Sequence, residues 1–186
     1  DAIKCRGPIR RRRQYSRENW LEDARTLKLL GVEKLTVAQI HEVNLAGWKR
    51  IMEPGGTLEG LRLAQKRGLC SFIGITGRAI PLLTRLASTG EFDTVLVYHD
   101  YHPCRRLAGK SMLPAAMEND MGVVIATILA GGLYVPGICN KSALNFLSQT
   151  ECKNAEKILK RLELEDSSLP QSAFQYVLAD GRVTKA

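Results

Sequence analysis

The sequence predicts a parallel α/β fold, on three observations. Short β-branched runs begin near residues 2, 35, 71, 94 and 123; amphipathic helical patterns lie between them; and the strand runs are continuously apolar rather than alternating. Parallel strands need a crossover of a dozen or more residues, normally a helix, and a sheet covered on both faces loses its in-out alternation. Intervals of 33, 36, 23 and 29 residues between strand starts suit that crossover. Two architectures satisfy the pattern, an open doubly wound sheet and a (β/α)8 barrel. No Gly-x-Gly-x-x-Gly follows any strand, which lowers the nucleotide-binding open sheet. Gly131-Gly132 is too weak a signal to replace it.

The strands are expected over residues 2–5, 35–40, 71–75, 94–98 and 123–128. Between the first two, Ser16 serves as an N-cap, Trp20, Ala24 and Leu27 fall at helical spacing, and Gly31 stands just past the end. Thr57 is expected to cap a second helix with Leu58, Leu61 and Ala64 on one face and Gly68 as its stop. Pro81 opens a third, with Leu82, Leu83 and Leu86 before Gly90. A fourth carries Met112, Leu113, Ala116 and Met117, a fifth Ala155, Ile158, Leu159 and Leu162, and a sixth begins at Pro170 with Ala173, Phe174, Val177 and Leu178. These apolar stripes are core faces.

Composition narrows the function classes. A chain of 186 residues, 45% hydrophobic, is one domain's worth of material and needs no disulfide framework or structural metal to fold. The longest apolar runs, such as residues 122–133, fall short of the ~20 residues a membrane helix requires. The first residues lack the succession of a secretory signal. Five cysteines, at 5, 70, 104, 139 and 152, form no Cys-x-x-Cys pair, so a reduced, cytoplasmic setting is expected. Of the net charge of +8, the first 13 residues supply +5, from Lys4, Arg6 and the arginines at 10–13 against Asp1. That run follows Gly7-Pro8 and lacks interleaved aromatics, so a solvated basic loop over 7–15 is expected rather than a nucleic-acid patch.

In parallel α/β folds the site lies beyond the carboxyl ends of the strands. Those ends carry Lys4, then His41-Glu42, then Thr76-Gly77-Arg78, then Tyr98-His99-Asp100-Tyr101-His102, and finally Thr127. Lys4 and His41 would emerge on one rim, where a cation and an imidazole can jointly polarise a substrate oxygen. No metal is expected, because strand periodicity would send His99 and His102 to opposite faces.

Lys4, Gln39-Ile40-His41-Glu42, Phe72-Ile73-Gly74-Ile75-Thr76-Gly77 and Ala126-Thr127-Ile128-Leu129-Ala130-Gly131-Gly132-Leu133, in this order, resemble the aldo-keto reductase family. The similarity runs through nearly the whole chain and is greatest to the branch of L-galactose dehydrogenase and related aldose or pyridoxal dehydrogenases. It implies a (β/α)8 barrel, present here from the third strand to the start of the eighth at Val183-Thr184-Lys185-Ala186. The implied activity is hydride transfer between NADP or NAD and a small carbonyl or alcohol substrate such as an aldehyde or aldose. The resemblance makes Lys4 and His41 catalytic. Lys4 would lower the pKa of a proton-donating tyrosine, whose unperturbed value near 10 is too high for neutral pH, and His41 would hydrogen-bond the carbonyl oxygen. On the cofactor side it implies Thr76, Gly77 and Val97 around the nicotinamide carboxamide, Ala126 where many members stack an aromatic, and Thr127, Leu129 and Gly131 in the pyrophosphate loop.

In the family the catalytic Asp and Tyr lie on and after the second strand, upstream of the position of Lys4, and the resemblance here starts at the third. An open barrel would expose two strand edges and an apolar interior, so the chain is expected to be an excerpt of a longer protein. The rival expectations are a cofactor-binding regulatory barrel, similar to the potassium-channel beta subunits of the same superfamily, and a catalytically inactive truncated reductase.

Overall fold

The structure, a computed structural model, describes residues 2–4, 27, 31–135, 147–164 and 168–186, with 2–4 and 162–164 described through the backbone. Five strands, β1 (Ala2–Lys4), β2 (Leu35–Ile40), β3 (Cys70–Gly77), β4 (Thr94–Tyr98) and β5 (Gly122–Ala126), form one sheet in the order 1-2-3-4-5, parallel throughout. Beyond β5, Lys185 makes a parallel bridge to Val124, and the amide of Ile125 donates to the carbonyl of Lys185 at 2.9 Å. This single bridge falls within residues 183–186, where the next strand was expected to begin. Six α-helices are described: α1 (Val43–Met52), α2 (Thr57–Lys66), α3 (Ile80–Ala87), α4 (Met112–Glu118), α5 (Gln149–Leu164) and α6 (Leu169–Leu178).

Residues opposed in a ladder share a face of the sheet, and neighbours along a strand alternate. One face is therefore lined by Ala38, Ile40, Ile73, Ile75, Val95, Val97, Val123 and Ile125, each at most 4% exposed. Helices α1 to α4 supply the core packed on it, through Val43, Ile51, Leu61, Leu83, Leu86, Met112 and Leu113, all fully buried. Arg85 of α3 lies over the Trp48 ring of α1, 3.6 Å from its centroid. The other face carries Val37, Gln39, Phe72, Gly74, Thr76, Thr94, Leu96, Tyr98, Val124 and Ala126. Gly74 is required there: a Cβ would lie 2.1 Å from Thr94 Oγ1 and 2.9 Å from the Thr94 carbonyl.

Several local expectations are corrected. Helix α1 was not anticipated; Gly47 within it is non-helical, at φ 73 and ψ 162. Thr57 is the first helical residue of α2 and not its cap, which is Gly56; its buried hydroxyl instead donates to the Arg50 carbonyl at 3.5 Å. Strand β5 stops at Ala126 and not at 128, because Thr127 turns into the left-handed region at φ 61. Met117, Phe174 and Leu178, expected in core faces, are 67%, 38% and 53% exposed. Gly68 and Gly90, at φ 75 and 69, follow α2 and α3 as left-handed stops. The helix expected between Ser16 and Gly31, apart from buried, helical Leu27, lies outside the described residues, as do the basic loop over 7–15 and the Leu162 side chain.

Candidate active site

The carboxyl ends of all five strands open on one rim. Lys4, the last residue of β1, is the ladder partner of Gln39, and His41 stands two residues beyond Gln39, one step past the Ile40–Ile75 pair. Lys4 and His41 are thus brought to the same end of adjacent strands. On the same face Gln39 is 2% exposed; its Nε2 donates to Thr94 Oγ1 at 3.2 Å, and its buried Oε1 has no hydrogen-bond partner among the described residues.

The chain leaves β2 through a sharp turn. Glu42 adopts φ 58 and ψ 69, a left-handed conformation unfavourable for a residue with a Cβ. Three contacts hold it there. Its amide donates to Thr76 Oγ1 at 3.3 Å, its carbonyl accepts from the Leu45 amide at 2.8 Å, and its carboxylate accepts from the Tyr98 hydroxyl. Burial, and then the Glu42 hydrogen bond, push Tyr98 up to about 12, so the phenol stays protonated. Thr76 is 1% exposed.

Not all the expected cofactor residues share this face. Ala126 is the ladder partner of Tyr98, and Thr76 of Leu96, which puts both on the inner face. Val97 and Gly77 are partners of each other on the helix-covered face, and Val97 has no exposed surface. A Cβ at Gly77 would point 3.3 Å from Val43 Cγ2, towards α1. The strand residue that reaches the inner face is Tyr98. Thr127, Leu129 and Gly131 lie in the turn after β5. Leu129 has φ −73 and ψ 5, whereas Thr127, Ala130 and Gly131 have φ 61, 48 and 68.

Beyond β4 the chain is tied down by charge. Asp100, 2% exposed, accepts from Arg78 Nε and Nη2, each at 3.1 Å, and from Arg105 Nε at 2.6 Å. Arg105 Nη1 reaches Glu151 of α5 at 2.8 Å, and the Arg78 guanidinium lies 5.9 Å from the Tyr98 ring centroid. His99, at φ 61, and His102 lie past the end of β4, so the strand alternation invoked to separate them does not apply. His102 is buried, sharing a 2.9 Å hydrogen bond from Nδ1 with the Tyr134 hydroxyl, which also accepts from the Cys104 amide at 3.0 Å. Burial lowers His102 to about 4. Among the described residues no three His, Cys, Asp or Glu side chains group as a metal site, and no helix is long and apolar enough to cross a membrane.

Sequence reasoning gave no role to Glu42, Tyr98, Arg78 or Asp100. All four were visible as polar residues at strand ends. The Tyr98–Glu42 pair, 56 residues apart, leaves no spacing signal.

A parallel sheet whose strands follow one another in chain order, with helices on one side and a polar rim at the carboxyl ends, is an arc of a (β/α)8 barrel. Consistent with this, residues 2–185 match the aldo/keto reductase family, and the chain belongs to it. A D-threo-aldose 1-dehydrogenase from a Pseudomonas species is 21% identical over 163 residues, 86% of this chain and 49% of that protein. The chain thus spans about half the length of this curated relative.

Proposed function

We propose that this chain carries the Lys4 and His41 side of an NAD(P)-dependent oxidoreductase that transfers hydride between the nicotinamide and the carbonyl carbon of a small aldehyde or aldose, or the corresponding alcohol. The observation that supports it is the register that sets Lys4, His41, Thr76 and Ala126 at the carboxyl rim of adjacent strands. Family membership and the aldose dehydrogenase relative favour this chemistry.

The residues suit a dinucleotide. A right-handed residue followed by a left-handed one turns successive amide N–H groups into a concavity that anions occupy, and Leu129 followed by Ala130 and Gly131 has that sequence of conformations. Within that turn the Ala130 and Gly132 amides already donate to the Thr127 and Leu129 carbonyls, at 2.9 Å each. The small side chain of Ala126 leaves space on the inner face beside Tyr98. The bound cofactor supplies the hydride.

The chain's own residues act on the oxygen. As hydride reaches the carbonyl carbon, negative charge grows on the oxygen, and donors fixed in place before the reaction stabilise that charge most effectively. His41 hydrogen-bonds the oxygen and Lys4 contributes positive charge, which also favours ionisation of a neighbouring phenol.

In the intact protein, Lys4→Met and His41→Ala should each lower turnover of aldehydes or aldoses by roughly 100-fold or more, while dinucleotide affinity, followed by fluorescence titration, stays nearly constant. Full turnover in both variants overturns the assignment.

A further inference from the structure

We propose that Tyr98 is a positioning residue for His41, acting through the Glu42 carboxylate. This rests on the catalytic assignment of His41 above.

The Glu42 amide belongs to the peptide that joins it to His41, so fixing the Glu42 backbone anchors the His41 main chain on its C-terminal side. That backbone is left-handed, at φ 58 and ψ 69. A residue with a Cβ does not hold this conformation unless its surroundings over-determine it, and such residues gather where a side chain must be aimed. Here the constraint comes from two other strands: Thr76 of β3 takes the amide and Tyr98 of β4 takes the carboxylate. The turn of β2 is thereby keyed to the two strands that line the remainder of the rim. Tyr98 is aimed at the mouth because it follows Val97, whose side chain goes to the core on the opposite face. Its ring is fixed in turn by His99, edge-on at 5.7 Å, and by the Arg78 guanidinium, itself clamped on Asp100.

A protonated phenol donating to a carboxylate is a strong, directional contact. Losing it frees the Glu42 side chain and lets the left-handed turn relax, moving the imidazole off the carbonyl oxygen. A displacement of about 1 Å at a reacting group can lower rate on the order of 100-fold.

The test uses the intact protein with a saturating nicotinamide cofactor. Tyr98→Phe keeps the ring and deletes the donor; kcat should fall about 10-fold or more, with dinucleotide affinity unchanged. Glu42→Gln retains an acceptor oxygen and should stay within about 3-fold of the parent. Glu42→Gly accommodates the left-handed backbone but lacks the anchor, so it should lose as much as Tyr98→Phe. Combining Tyr98→Phe with Glu42→Gly should add little further. A readout independent of turnover is the His41 imidazole proton resonance, which should shift in Tyr98→Phe and remain near its original place in Glu42→Gln. Overturning results are a kcat for Tyr98→Phe within about 2-fold of the parent, full activity in Glu42→Gly, or activity and melting temperature falling together with the His41 resonance unmoved. If His41→Ala turns over normally the parent assignment fails; if it is inactive while Tyr98→Phe is normal, only the positioning role fails.

Discussion

Asp100 shows how little of a rim is decided by one residue in isolation. Its carboxylate is almost entirely removed from water and satisfied by two guanidiniums, from Arg78 on one side and Arg105 on the other. Removing one partner of a buried charge cluster leaves the others uncompensated, at a cost of about 3–5 kcal/mol. Asp100→Ala should therefore lower the urea midpoint sharply, whereas Arg62→Ala, which breaks the exposed pair with Glu91, should leave it within ~1 kcal/mol. Equal effects would show that Asp100 is not the keystone of this loop. In the sequence, Asp100 and His41 were both legible as polar residues ending apolar runs. Which partners Asp100 takes was not, because Arg78 reaches its place only through the crossover between β3 and β4. Glu42 illustrates the limit most directly: its neighbours in the chain give no hint of a left-handed backbone, since what holds it there comes from β3 and β4.

Elements were legible where one period ran undisturbed. The strand positions followed from continuous β-branched runs, and α2, α3 and α4 from apolar residues three and four apart. Helix α1 escaped because a glycine inside its pattern weakens the helix signal, and the exposed Met117 because apolar spacing cannot distinguish a covered face from an open one. The turn after β5 was expected at Thr127, where the last apolar run ends, but what holds it in place was not foreseeable: Tyr134, fully buried, hooks onto His102 and the Cys104 amide. Tyr134→Phe preserves the ring and leaves that amide without an acceptor, costing roughly 1–3 kcal/mol. If residues 127–132 cradle a diphosphate, the loosened turn should weaken dinucleotide affinity several-fold, measured by fluorescence titration, with kcat at saturation little changed. Unaltered affinity would remove this turn from the binding site.

At the scale of the whole molecule, stability should respond to acid in two separate windows. His102 has a folded-state value of about 4 against an ordinary 6.5. The unfolded chain therefore binds a proton first, and stability falls as pH drops from about 6.5 towards 4, by on the order of 3 kcal/mol for a difference of this size. Asp180 behaves as a depressed carboxylate, held down chiefly by Arg182 and also by the Tyr101 hydroxyl. Its contribution is present above the ordinary carboxylate range and disappears below it. Urea unfolding across pH 7 to 4.5 should flatten in His102→Asn and retain its slope in Asp180→Asn; the reverse would exchange the two assignments. The sheet order 1-2-3-4-5 carries a consequence for assembly. Within this arc each strand pairs with the strand made just before it, so these five strands can add to the sheet one after another during synthesis.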